Sequence, residues 1–167
     1  LHHSGTLKPI QIDRLIEDNK HALTSLENEA KLFINKVYKE HRHNCMFAVS
    51  FSGGKDSQAV YELVSQVVPP EDYILIFNDT GMEMPYTLET VAQTFSAHKR
   101  KFPNSHITVS NPVKDTVQLW NEFGPPTRKH RWCCTVCKTA PFLNSLKQIN
   151  PNGAIIKNFR EIGRAHV

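Results

Sequence analysis

Six consecutive residues, Ser52-Gly53-Gly54-Lys55-Asp56-Ser57, bring together two glycines, a cation, a carboxylate and two hydroxyls. A glycine pair directly after a buried strand lets the chain turn sharply, so that successive backbone N–H groups and the start of the next helix converge on an anion. Ser52 and Ser57 add hydroxyl donors, and Lys55 supplies a point charge suited to a phosphate. Asp56 can orient the loop donors or help hold a magnesium ion that the phosphates also bind. The spacing differs from Gly-x-x-x-x-Gly-Lys-Ser/Thr, so hydrolysis at a γ-phosphate is not the chemistry it points to.

A second group of reactive side chains follows much later. Cys133, Cys134 and Cys137 are three of the four cysteines and fall within five positions, too close for an ordinary disulfide framework. Their Cys-x-x-Cys spacing can wrap zinc or an iron–sulfur cluster, for which a fourth donor would be needed. Alternatively, Cys133 or Cys134 is a nucleophilic thiolate that carries sulfur or attacks a sulfonyl group, its pKa lowered by Arg131, Lys138 or a helix start. Inert, packed thiols are the third reading, and the sequence leaves all three open. Cys45 sits in an apolar run and reads as core. The nine histidines show no metal-ligand spacing; His41 and His43 beside Arg42 read as a solvated helix end, and Trp120 and Trp132 as packing residues.

The elements that must position these groups alternate. Apolar residues at Ile16, Leu23, Leu26, Ala30, Phe33, Ile34 and Val37 predict a helix from Ile12 to about His41 with one buried face. Cys45 to Phe51 reads as a strand ended by the glycine pair, and Val60, Leu63, Val64 and Val67 as a helix before Pro69-Pro70. The pattern repeats: a strand at Tyr73 to Phe77, a helix from Thr87 to about Phe102, a strand at His106 to Ser110, and a short helix from Asp115 to Phe123. After the polar, proline-bearing stretch from Gly124 to Arg131, a helix is expected from Lys138 to Gln148 and a strand from Ala154 to Lys157. This order predicts an α/β fold, a doubly wound parallel sheet of Rossmann-like form with its ligand beyond the carboxyl ends of the strands.

Composition sets wider bounds. With 167 residues, 40% of them hydrophobic, the chain can form one compact domain, and a net charge of +4 suits a phosphorylated ligand or a nucleic acid equally. No apolar run is long enough to span a membrane and no signal-peptide pattern is present, so the expected location is the cytoplasm. Residues 1–11 read as a lead-in from a larger protein and 12–160 as a C-terminally truncated nucleotide-binding domain. Residues 161–167 resemble a translated sequencing adaptor and are expected to be non-native.

Ser52 to Ser57 resembles the PP-loop of the adenine nucleotide α-hydrolase superfamily. Together with Phe77-Asn78-Asp79-Thr80-Gly81 followed by Glu83 and Pro85, with Phe123-Gly124-Pro125-Pro126, and with Arg131-Trp132-Cys133-Cys134, Cys137-Lys138 and Pro141, it is similar to the phosphoadenosine phosphosulfate (PAPS) reductase family. The opening Ser4 to Gln11 also looks like the segment preceding this domain in larger members. The resemblance implies that Ser52, Gly53, Gly54, Lys55, Asp56 and Ser57 bind phosphate, that Asp79, Thr80 and Gly81 line the adenosine or metal side, and that Arg131 and Lys138 face phosphate or sulfate. It implies ATP or PAPS as the nucleotide and sulfur metabolism as the setting. Authentic reductases usually carry an altered loop, whereas this chain keeps the form found in ATP pyrophosphatases. ATP cleavage between the α and β phosphates, with magnesium, adenylate activation and sulfur transfer, is therefore the first expectation, with Lys55 and Asp56 as catalytic residues. The alternatives are reductive release of sulfite with a thioredoxin-like partner, and a nucleotide- or nucleic-acid-binding module with a structural metal. A sulfur donor and a nucleic-acid acceptor are the partners the first reading would need.

Overall fold

A computed structural model describes residues 11–151 and 155–159. Helix α1 (Ile12–His41) leads into strand β1 (Cys45–Phe51), helix α2 (Lys55–Val67), strand β2 (Tyr73–Asn78), helix α3 (Pro85–Lys101), strand β3 (His106–Ser110) and helix α4 (Thr116–Phe123). A π-turn at Cys134–Thr139 then runs into helix α5 (Ala140–Ile149) and strand β4 (Ile155–Phe159). The four strands are parallel in the order β3-β2-β1-β4. The expected doubly wound α/β sheet is therefore present, and the chain steps outward from β1 through β2 to β3 before crossing back to place β4 on the other side of β1. This reversal opens a crevice between the carboxyl ends of β1 and β4, the place where such sheets bind ligands.

Strands β1 and β2 read as nearly unbroken apolar runs because both of their faces are covered. Phe47, Val49, Phe51, Tyr73, Leu75 and Phe77 pack on one face against Ile34 and Tyr38 of α1, Val64 of α2 and Val91 of α3. Ala48 and Ile76 turn to the other face and meet Leu146 and Phe142 of α5 and Ile156 of β4. Tyr38 also donates its hydroxyl to Asp72, pinning α1 beside the start of β2.

Two expectations need correction. The apolar stripe of α1 is not one buried face: Ile34 is buried, but Ile16, Leu23, Leu26 and Phe33 are exposed, at 51%, 48%, 63% and 64%. The cause is length, since thirty helical residues extend about 45 Å while strands of five to seven residues cover only about half that, and the helix outruns the sheet. The helix expected at Lys138 starts earlier, because a π-turn continues directly into α5. Residues 152–154 and 160–167, which include the start of the last expected strand and the adaptor-like tail, lie outside the described residues, as do residues 1–10 of the lead-in.

His98 of α3 is 1% exposed and wedged among Tyr61, Tyr73 and Phe102. Its Nδ1 lies 2.9 Å from the Tyr61 hydroxyl, while Nε2 is buried without a hydrogen-bond partner among the described residues. Burial, with a smaller contribution from Lys99 and Lys101, pushes its pKa below the usual histidine value. The unfolded chain then takes up a proton near pH 6.5 that the native state refuses, so this site removes stability as pH falls through that value. Denaturant midpoints at pH 7.5 and 5.5 are expected to separate more in the parent protein than in a His98→Phe variant.

Candidate functional site

The turn between β1 and α2 is built around two residues. Gly53 has φ +76°, a left-handed conformation, and a Cβ there would lie 3.0 Å from the Thr87 methyl and 3.3 Å from Val91 of α3. Only glycine can turn the chain this close beneath a helix. Ser57, 2% exposed, fixes the other side: its Oγ accepts from the Ser52 N–H at 3.1 Å and the Ser52 hydroxyl at 3.0 Å, and donates to the Gly54 carbonyl at 2.9 Å. A hydroxyl has one donor and two acceptor positions, so Ser57 is fully used in holding the loop. The backbone amides at the α2 start lie where the helix dipole is positive, and the first intrahelical bond runs from Gln58 N to Gly54 O at 3.0 Å.

Beside this loop lies a cavity of about 340 Å³ lined by Ser50, Ser52, Ser57, Asn78, Lys138, Phe142 and Asn158. It occupies the β1–β4 crevice and is roofed by the π-turn and α5. Asn78 positions the roof: its side-chain N–H donates to the Cys137 carbonyl at 3.2 Å, and its oxygen accepts from Ser110. With the π-turn fixed to the end of β2, exposed Lys138 faces the cavity from across the glycine loop. An ammonium opposite a cradle of amides is an arrangement suited to a phosphate or sulfate group.

Of the residues singled out in the sequence, Ser52, Ser57 and Lys138 line this cavity. Lys55 and Asp56 are not among the cavity residues; they are paired to each other at 2.6 Å with side chains 89% and 49% exposed. Asp79, Thr80 and Gly81 form a self-contained turn: Asp79 accepts from the Gly81 N–H at 2.8 Å, buried Thr80 donates to Glu83 at 2.9 Å, and Thr116 donates to the Thr80 carbonyl at 2.7 Å. Arg131 is exposed and is not among the cavity residues. Ser50, Asn78, Phe142 and Asn158 were not foreseen. Alternation along β1 could have paired Ser50 with Ser52, but Asn158 becomes visible only once β4 is known to lie beside β1.

The metal reading of the cysteines finds no assembled ligand set among the described residues. Cys133, Cys134 and Cys137 do not form a ligand set; among the described residues no group of three or more His, Cys, Asp or Glu side chains is arranged to hold a metal ion. Cys137 instead packs with Leu119 and Trp132, Cys133 lies at the edge of that cluster, and burial pushes the Cys137 thiol above its usual pKa. Trp132 is 6% exposed and donates its indole N–H to the Gly124 carbonyl at 2.9 Å, closing the preceding loop on the same cluster.

Comparison with known proteins places this architecture. Residues 46–160 match the phosphoadenosine phosphosulfate reductase domain family. Two uncharacterized proteins of Methanocaldococcus jannaschii are 30% identical over 139 residues and 28% identical over 136 residues, covering 83% and 81% of this chain. An adenosine 5'-phosphosulfate reductase of Geobacillus kaustophilus is 27% identical over 146 residues, 84% of this chain. These matches span 32%, 26% and 59% of the three relatives, so the chain corresponds to only part of their length. A phosphoadenylyl-sulfate reductase of Candida auris, solved as a phosphate complex, superposes with a TM-score of 0.52 at 18% identity, over 96% of this chain and 73% of that one. The likeness supports the fold.

The two loop glycines should behave differently. Gly53→Ala is expected to lower stability by roughly 1–3 kcal/mol, because it forces a left-handed alanine against Thr87. Gly54→Ala, at φ −84° with its nearest neighbour 3.6 Å away, should cost less than about 1 kcal/mol. Urea denaturation of both variants measures the difference.

Proposed function

We infer, from the premise that this chain belongs to the phosphoadenosine phosphosulfate reductase domain family, that it binds an adenine nucleotide with its phosphates on the Ser52–Ser57 loop and uses it in sulfur metabolism. The observation that carries this reading is the placement of Lys138 opposite the α2 start, on either side of a cavity at the β1–β4 crevice. Backbone amides and one ammonium, fixed before the ligand arrives, stabilise charge that develops on phosphoryl oxygens.

The chemistry that suits this lining best is cleavage of ATP between its α and β phosphates. An acceptor oxygen attacks the α-phosphorus, the bond to the bridging oxygen breaks, and pyrophosphate leaves with the electron pair. The acceptor becomes an adenylate, which a sulfur donor then displaces as AMP. Amides of the loop hold the phosphates, and Lys138 offsets charge on the group being transferred. The half-exposed carboxylate of Asp56 is the donor type magnesium accepts beside nucleotide phosphates, and Asp56 would hold that ion. Magnesium, when bound, neutralises the departing pyrophosphate. Cavity residues among those described are hydroxyls, amides, an ammonium and a phenyl ring, which supply charge stabilisation rather than a thiol nucleophile.

Reduction of adenylyl sulfate is the second reading, favoured by the Geobacillus kaustophilus relative. It requires a thiol to reach a sulfonate and a thioredoxin-like protein to restore that thiol. A nucleic-acid acceptor for the first reaction is a further proposal, consistent with the net charge of +4.

The deciding assay mixes the full-length protein with ATP and magnesium and follows pyrophosphate. Pyrophosphate release that drops by roughly 100-fold or more in Lys138→Ala, and is also lost in Lys55→Ala and Asp56→Ala, is the expected result. Sulfite release from adenylyl sulfate in the presence of a dithiol, without pyrophosphate from ATP, would replace it with the reductase reading.

A further inference from the structure

We propose that the free end of α1 pairs antiparallel with α1 of a second copy of this chain, as a two-stranded coil. Every residue from 12 to 29 is exposed, so more than half of the thirty-residue helix stands clear of the sheet. An isolated helix of that length is marginal in water, and most helical stability comes from packing of an apolar face. Ile12, Ile16, Leu23, Leu26 and Phe33 leave such a face open. Their spacing is stricter than that of an ordinary amphipathic helix. With Asn19, Ala30 and Val37 they occupy every a and d place of the heptad repeat from Ile12 to Val37, the narrow seam of a coil rather than the wider face that lies on a sheet. The sheet buries Ile34 and Tyr38 instead, one step round the helix from Phe33 and Val37.

Charge selects the orientation and the register. Residues at e and g flank the seam and meet across the two helices. With Leu23 set against Leu26 of the second copy, Lys20 falls beside Glu27 of the second copy, and two-fold symmetry makes that contact twice. The same register places Ile16 against Phe33 and the polar Asn19 against the small Ala30. Asn19 donates its side-chain N–H to the Leu15 carbonyl at 2.8 Å, so it enters the seam with a donor already satisfied. Sliding the helices by one heptad sets Lys20 against Lys20 and Asp13 against Glu27 in one direction, and Glu27 against Glu27 in the other. Parallel pairing offers Lys20 only Leu15 and offers Glu27 only Ala22. It would also crowd both sheets at one end of the seam, whereas antiparallel pairing holds them at opposite ends. Lys20 and Glu27 each have a partner on their own helix, Glu17 at 3.3 Å and Lys31 at 2.5 Å, but exposed pairs of this kind are weak and exchange readily. Charge therefore sets the register, and burial of the apolar seam supplies the affinity. The pairing does not depend on what the crevice binds.

Sedimentation equilibrium of the full-length protein tests the coil. The parent is expected to be a dimer, and Leu23→Glu and Leu26→Glu should each raise its dissociation constant roughly tenfold or more. Near-ultraviolet circular dichroism, which reads the aromatic core, should show both variants still folded, because neither leucine touches the sheet. A monomeric parent, its stripe covered by another part of the full-length chain or by a different protein, overturns the proposal, as does a dimer indifferent to both substitutions. Lys20→Glu and Glu27→Lys probe the register without touching the seam, and they decide the matter if a leucine variant does not fold. Each alone should weaken the dimer, since it places like charges beside each other twice. Mixing the two variants should restore it, because every such contact in the mixed dimer is between opposite charges. No recovery on mixing refutes the register. Oxidative cross-linking fixes the orientation: Leu23→Cys and Leu26→Cys proteins should join to each other when mixed, identified as the linked peptide by mass spectrometry. Joining of Leu26→Cys only to itself would mean a parallel coil and would overturn the antiparallel assignment.

Discussion

The buried hydroxyl of Ser57 is the contact on which the turn between β1 and α2 depends. It ties the end of β1 to the first turn of α2 through three bonds, two from Ser52 and one to Gly54, in a space closed to solvent. Gly53 can hold its left-handed φ beneath α3 because the residues on either side of it are stapled in this way. The helix start is then aimed at a fixed point, and a fixed dipole costs no reorganisation when a charged ligand arrives. The Ser57 hydroxyl is engaged within the loop, where it orients the turn between β1 and α2.

The same economy governs the opposite wall. The reversal of strand order at β1 leaves β4 as a neighbour of β1, while the chain reaches β4 only after α4, the π-turn and α5 have crossed the other face. Asn78, at the last position of β2, captures the π-turn by its Cys137 carbonyl and so sets where Lys138 projects. Loop and roof are thus positioned by the ends of adjacent strands. Their separation is fixed by the spacing of the sheet, about 4.8 Å per strand, rather than by flexible connections.

Much of this was legible in residue order. Strands β1 and β3 have the bounds that apolar runs and glycines suggested, since β1 is covered on both faces and ended by a turn that only glycine can make. The glycine loop announced itself because its residue types have few other uses together. Long-range relations were hidden. Nothing near Asn158 in sequence indicates that it meets Ser50, 108 positions earlier. The stripe on α1 misled for a related reason: heptad-like spacing reports an apolar face but not the length of sheet available to cover it.

The cysteine cluster shows how a local motif can be divided by its fold. Cys137 and Lys138 are neighbours in sequence, yet on a helical turn adjacent side chains point in widely different directions, and they cannot serve one cavity. The structure sends the ammonium to the crevice and the sulfur to Leu119 and Trp132. Reversing that choice would expose the face that closes α4 against the π-turn and would break the Asn78 bond that fixes the roof. Burial also keeps Cys137 protonated at neutral pH, where a protonated thiol is a poor nucleophile. Charge is therefore presented to the crevice at Lys138 while the Cys137 sulfur is turned away from it into the packing against Leu119 and Trp132.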